Sequence, residues 1–121
     1  KGKHALAINA GQTTHRNIFV SANYRVSAAQ VGSGNVTLVS LMELDGESQY
    51  KVFVNDRLIG FFTNPETQVD YAPHRFTIKN VNLKLGDTIT VASNAVTNGK
   101  IPENDETAYA RGRWQSIILS R

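Results

Sequence analysis

Apolar positions along this chain recur at every second residue over short runs, and the runs end at Gly, Asn, Asp or Pro. That period places successive side chains on opposite faces of an extended backbone, so it predicts strands. The segment "NVTLVSLMEL" (35–44) sets Val36, Leu38, Met42 and Leu44 on one face and Val39 and Leu41 on the other. A strand apolar on both faces is predicted to be central. In "SQYKVFVN" (48–55), Tyr50, Val52 and Val54 point inward while Gln49, Lys51 and Asn55 point outward; "NDR" then turns the chain into "LIGFF" (58–62) as a hairpin partner.

Further strands are predicted at "HALAI" (4–8), "YRVSAA" (24–29), "HRFTIKNV" (74–81, with Phe76 and Ile78 inward), "TITVAS" (88–93, with Ile89 and Val91 inward) and "WQSIILS" (114–120). "VGSGN" (31–35) and "TNPETQVDYAP" (63–73) read as loops, and "LDGES" reads as a hairpin turn, with Glu43, Asp45 and Glu47 as a lesser option for holding calcium. No stretch keeps apolar residues at helical spacing for three turns. Eight or nine short strands in one unit predict an all-β, antiparallel β-sandwich of jelly-roll type, with a closed barrel as the lesser option.

The 121 residues suffice for one core and not for two, so residues 1–121 are expected to form a single domain. Hydrophobic residues at 40% and charged residues at 19% exclude a disordered or coiled-coil chain. No apolar run approaches membrane-span length, so no membrane partner is expected. Opening on Lys1 rather than Met suggests a processed or excised segment. The absence of cysteine excludes disulfides and thiolate metal sites. The 13 basic against 10 acidic residues favour anionic partners only weakly, and no two basic residues are adjacent, so nucleic acid is not expected either.

One stretch departs from the strand pattern: "TNGKIPENDETAYARGRW" (97–114). It gathers Asn98, Lys100, Glu103, Asp105, Tyr109, Arg111, Arg113 and Trp114, the planar, charged and aromatic groups that recognise sugar hydroxyls and C–H faces. Loop 63–73 adds Tyr71 and leads into His74 and Arg75. Glu103 and Asp105 are the minimum pair for glycoside hydrolysis, and Tyr71 with His74 and Arg75 offers the set a lyase needs. Structural uses compete with each of these. Trp114 fits the core of the last strand as well as it fits a ligand platform, Arg111 and Arg113 fit ion pairs with Glu103 and Asp105, and Tyr71, His74 and Arg75 fit a hydrogen-bonded turn.

The segments "SQYKVFVNDRLIGFF", "HRFTIKNVNLKLGDTITVASN" and "GRWQSIIL" together resemble the small jelly-roll carbohydrate-binding modules appended to secreted bacterial polysaccharide-degrading enzymes, over residues 35–119. Several such families hold calcium in the loop after the Val-x-Val strand, which by position implies Asn94, Glu103 and Asp105 as metal ligands. This chain has "SNA" where those families show "ND". The stretch "NGKIPENDETAYARGRW" is more similar to modules that accompany enzymes acting on algal galactans such as agar and porphyran, for which Lys100, Arg75, Arg111 and Arg113 would serve neutral or sulfated sugars.

The resemblance therefore implies a non-catalytic, monomeric, extracellular module. Such a module binds an algal galactan and targets a tethered glycoside hydrolase to it, with no cofactor beyond a possible structural calcium. Two other readings stay open: a small hydrolase or lyase, and a structural or adhesive sandwich without a sugar site.

Overall fold

The computed structural model describes residues 7, 17–103 and 106–121. Among them run nine strands: β1 (Phe19–Arg25), β2 (Gly32–Met42), β3 (Gln49–Val54), β4 (Arg57–Thr63), β5 (Ala72–Leu83), β6 (Thr88–Asn94), β7 (Pro102–Glu103), β8 (Glu106–Thr107) and β9 (Trp114–Ser120). One sheet has the order β1-β6-β3-β4 and the other β5-β2-β9, while β7 and β8 form a small ribbon. All the pairings are antiparallel. The fold is an all-β antiparallel sandwich.

The core lies between the two sheets, where the period-two positions of both meet. Val36 and Leu38 of β2, Tyr50, Val52 and Val54 of β3, Val81 and Leu83 of β5, and Ile89 and Val91 of β6 are buried together. Phe62 stacks on Phe76 with ring centroids 4.6 Å apart, closing the side where β4 meets β5. The expected central strand is central: β2 is hydrogen-bonded to β5 on one side and to β9 on the other. The hairpin over 48–62 forms as β3 and β4, with Asn55 taking the positive φ of 55° that its turn demands.

Three expectations change. "HALAI" lies outside the described residues apart from Ala7. The strand expected at 24–29 runs instead over Phe19–Arg25, and residues 28–30 form a 3-10 turn. There the Ser27 N–H and hydroxyl both donate to Gln30 Oε1, a capping arrangement that competes with extended pairing and that "SAAQ" carries in its own spacing. The expected loop at 31–35 is already β2 from Gly32 onward. Its glycines answer to close packing, since a Cβ on Gly34 would sit 2.1 Å from the Ser120 carbonyl oxygen.

Strand direction carries three connections to the same end of the sandwich: the turn 43–48, the loop 64–71 and the long segment 95–113. Among the described residues no helix is long and apolar enough to cross a membrane.

Candidate functional site

The segment 95–113 is fastened to this end by its backbone more than by its charges. Gly112 takes φ 59°, a left-handed turn that breaks the strand alternation expected through Tyr109, Arg111 and Arg113. The turn aims successive N–H groups inward. Those of Arg111 and Arg113 donate to the Glu43 carboxylate at 3.1 and 3.4 Å, and that of Gly112 donates to Ser48 Oγ at 3.2 Å. Such a concavity of amides favours an anion. Glu43, only 2% exposed, supplies it, and Arg113 Nη1 closes the ion pair at 2.6 Å.

The hairpin turn expected at 44–48 is present, with Glu43 and Gly46 bridging across it. Arg113, read as fitting an ion pair with Glu103 or Asp105, pairs instead with Glu43. Glu43 follows a buried strand and faces into the protein, so it needs a buried cation and amide donors, whereas Glu103 lies exposed on the β7 ribbon. Burial pushes the Glu43 carboxyl above its ordinary value, and the Arg113 charge and the two N–H bonds counter only part of that shift.

A chain of buried polar contacts continues below this pair. Tyr50 Oη donates to the Arg113 carbonyl at 2.5 Å, Asn64 Nδ2 donates to Tyr50 Oη at 3.3 Å and to the Leu41 carbonyl at 3.1 Å, and Ser40 Oγ donates to Asn64 Oδ1 at 2.6 Å. Burial, and then the Glu43 charge, push the Tyr50 phenol up. Loop 64–71, β2, β3 and the segment before β9 are thereby held as one block.

Tyr71 crowns the block. Its backbone sits at φ 67°, in the left-handed region that a bulky residue rarely adopts, and its N–H donates to the Met42 carbonyl at 2.6 Å. Tyr71 is 50% exposed, with the Arg113 guanidinium 4.7 Å from its ring centroid. Asp70 Oδ1 accepts from the Leu44 N–H at 2.8 Å. Asp45 keeps one buried carboxylate oxygen that no described residue bonds, and burial, seconded by the charges of Asp70 and Glu103, raises its pKa.

The remaining predicted residues divide. Asn98 Nδ2 staples the long segment to the 43–48 turn through the Leu44 carbonyl at 2.9 Å and Glu47 Oε2 at 3.0 Å. Lys100 lies 3.7 Å from Glu66, bridging two loops at the surface. Glu103 pairs across the ribbon with Glu106, and Asp105 lies outside the described residues. Tyr109 packs against Ala95. Trp114 is half-buried, facing the core opposite Ser40, as the structural reading of the last strand required.

His74 meets the Phe76 ring edge-on at 4.7 Å, while Arg75 alternates to the outer face of its sheet and is exposed. Tyr71, His74 and Arg75 therefore do not form one group. Nor does Asn94 turn toward the ribbon: its Oδ1 accepts from the Gln49 N–H at 2.6 Å and its Nδ2 donates to Gln49 Oε1 at 3.1 Å. Among the described residues, no three carboxylates or histidines are grouped to hold a metal ion.

Sequence reasoning weighed Glu43 only as a possible calcium ligand and gave Asn64 no role of its own. A carboxylate directly after a long apolar strand and an Asn directly after a hairpin strand were the available signals. The chain matches no family model. It is 30% identical over 122 aligned residues to "Uncharacterized protein P23" of Formosa agariphila, an alignment that takes in 98% of this chain and 27% of that protein. The chain thus spans about a quarter of the length of the curated relative it matches.

Proposed function

We propose that this chain is a non-catalytic polysaccharide-binding module that docks a sugar chain on the loop end of the sandwich. The observation that carries the reading is Tyr71: an aromatic ring kept half exposed on a left-handed backbone, with the Arg113 guanidinium packed against it. Nothing in the packing of the core calls for that ring or that conformation, and strained backbone of this kind is characteristic of binding sites. An exposed ring face suits the C–H face of a pyranose, and the neighbouring Asp70 and the Arg113 guanidinium add groups that exchange hydrogen bonds with hydroxyls. A frame held by buried hydrogen bonds also loses little freedom when a ligand binds.

An algal galactan of the agar or porphyran type is the ligand we favour, on the sequence resemblance and the cations at Lys100 and Arg113. Alignment of this chain to a quarter of a longer relative supports a module that works beside other domains, here a tethered, secreted glycoside hydrolase whose local substrate concentration it raises. The test is affinity electrophoresis of the 121-residue chain in agarose and porphyran gels, beside the Tyr71→Ala variant. Retardation of the wild type that is lost in the variant is expected. Equal mobility of the two in every gel would discard the loop end as a sugar site.

A further inference from the structure

We propose a second binding surface, specific for anionic glycans, on the outer face of the β1-β6-β3-β4 sheet. Strand alternation places Phe19, Lys51, Phe53, Leu58 and Phe61 on this face, away from the core residues Tyr50, Val52 and Val54. Lys51 Nζ lies 4.2 Å from the Phe19 ring centroid and 5.6 Å from that of Phe61, and the two rings meet edge-on at 6.5 Å. Phe61 is 53% exposed and Leu58 48% exposed, which is unusual for two apolar neighbours on a sheet that turns its other face to the core.

Charge identifies the occupant. The four strands, FVSANYR, QYKVFV, RLIGFFT and TITVASN, contain Arg25, Lys51 and Arg57 and not one carboxylate, although the chain has 10 Asp and Glu. Among the described residues no carboxylate pairs with Lys51. Ring contacts orient its ammonium without using up its N–H donors, so the group stays able to meet an anion from solution. The two rings beside it cover the apolar faces of sugar units on either side of that anion. A carboxylate or sulfate carried by a polysaccharide chain matches this arrangement, whereas a neutral glycan would leave the cation unmet.

This inference rests on the polysaccharide reading above but on different residues, so the two can fail separately. Binding of the 121-residue chain, of Lys51→Gln and of Phe61→Ala to alginate, carrageenan and agarose is measured by affinity electrophoresis, at low and at raised salt. Alginate and carrageenan separate carboxylate from sulfate as the anion. Loss of about tenfold or more in affinity for at least one charged glycan is expected in both variants. Agarose affinity should be unchanged, and the charged-glycan affinity of the wild type should fall with salt.

Unchanged charged-glycan binding in both variants overturns the second surface while leaving the loop end intact. So does a dimer, seen by sedimentation, that Phe61→Ala dissociates, because the face would then be an interface between copies. Conversely, charged-glycan binding that survives Tyr71→Ala while agarose binding is absent from the wild type discards the loop end and keeps this surface. Chemical-shift mapping on the wild type gives the second readout. Perturbation by alginate or carrageenan must centre on Phe19, Lys51 and Phe61, and perturbation confined to other residues overturns the proposal.

Discussion

The loop end and the outer face of the four-stranded sheet solve opposite problems. At the loop end most of the polar groups are turned inward: Glu43, Arg113, Tyr50, Asn64 and Ser40 bond one another and the backbone, while Tyr71 stands exposed above them. On the sheet face a cation lies among aromatic rings, and among the described residues no carboxylate pairs with it. The difference teaches that a crowd of polar residues in a sequence is not itself a binding surface. Much of it serves to hold irregular backbone in place, while a plain strand can carry the less satisfied group.

The comparison predicts first that the two regions differ most in what their side chains do for stability. Glu43→Ala strands Arg113 and two amide donors in a buried site, and should lower the unfolding free energy by about 3–5 kcal/mol. Phe61→Ala, on the exposed face, should change it by about 0.5 kcal/mol or less. Urea denaturation of both variants checks this, and equal effects would erase the distinction.

Next in size is Tyr50→Phe, which removes a hydroxyl joining Asn64 to the Arg113 carbonyl and should cost about 1–3 kcal/mol. A midpoint within error of the wild type would mean that the polar chain beneath the loops does not hold them. Arg113→Ala belongs with this group, because it unpairs a buried carboxylate. A thermal melt should show it weakening the fold as well as any ligand affinity, unlike a substitution of a purely binding arginine.

Smaller still is the stability effect of Tyr71→Gly. Relief of a left-handed conformation that costs a bulky residue about 1–2 kcal/mol offsets the lost guanidinium contact, so stability should stay within about 1 kcal/mol. Galactan affinity should nonetheless fall several-fold, read by titration calorimetry. A Tyr71→Gly variant that binds as before would show the ring to be incidental.

The smallest effect is on pH dependence. Burial holds the carboxyls of Glu43 and Asp45 above their ordinary 4.5 and 3.8, so the folded state binds their protons more tightly than the unfolded chain does. Their stabilising contribution is then complete below those ordinary values and is lost as pH rises through the raised ones. The urea midpoint should rise modestly as pH falls toward those ordinary values, and the rise should vanish in Glu43→Gln/Asp45→Asn. Asp87 works in the opposite sense. Its carboxyl, lowered by the Lys84 N–H and by Asn55, gives stability that is lost only as pH falls below its ordinary 3.8.

Period-two alternation, turn residues and the absence of a helical stripe determined the fold class, the central position of β2, the β3–β4 hairpin and the inward set of Tyr50, Val52, Val54, Ile89 and Val91. These are local statements: which way a side chain points in a strand depends on its neighbours one and two residues away. The same locality made residues 97–114 conspicuous and left their use undecided. Whether Arg113 meets Glu103 or Glu43 depends on which chain segment lies beside it, 70 residues away in sequence, and only the packed end of the sandwich settles that.

Phe19, Lys51 and Phe61 were still harder to read. Each is one ordinary outward residue in its own strand, and their meeting depends on the order β1-β6-β3-β4, which brings together three segments that no sequence window spans. Burial of charge decides the first case and strand order the second. Both are properties of the whole chain, because desolvation and adjacency arise only when distant segments close against one another.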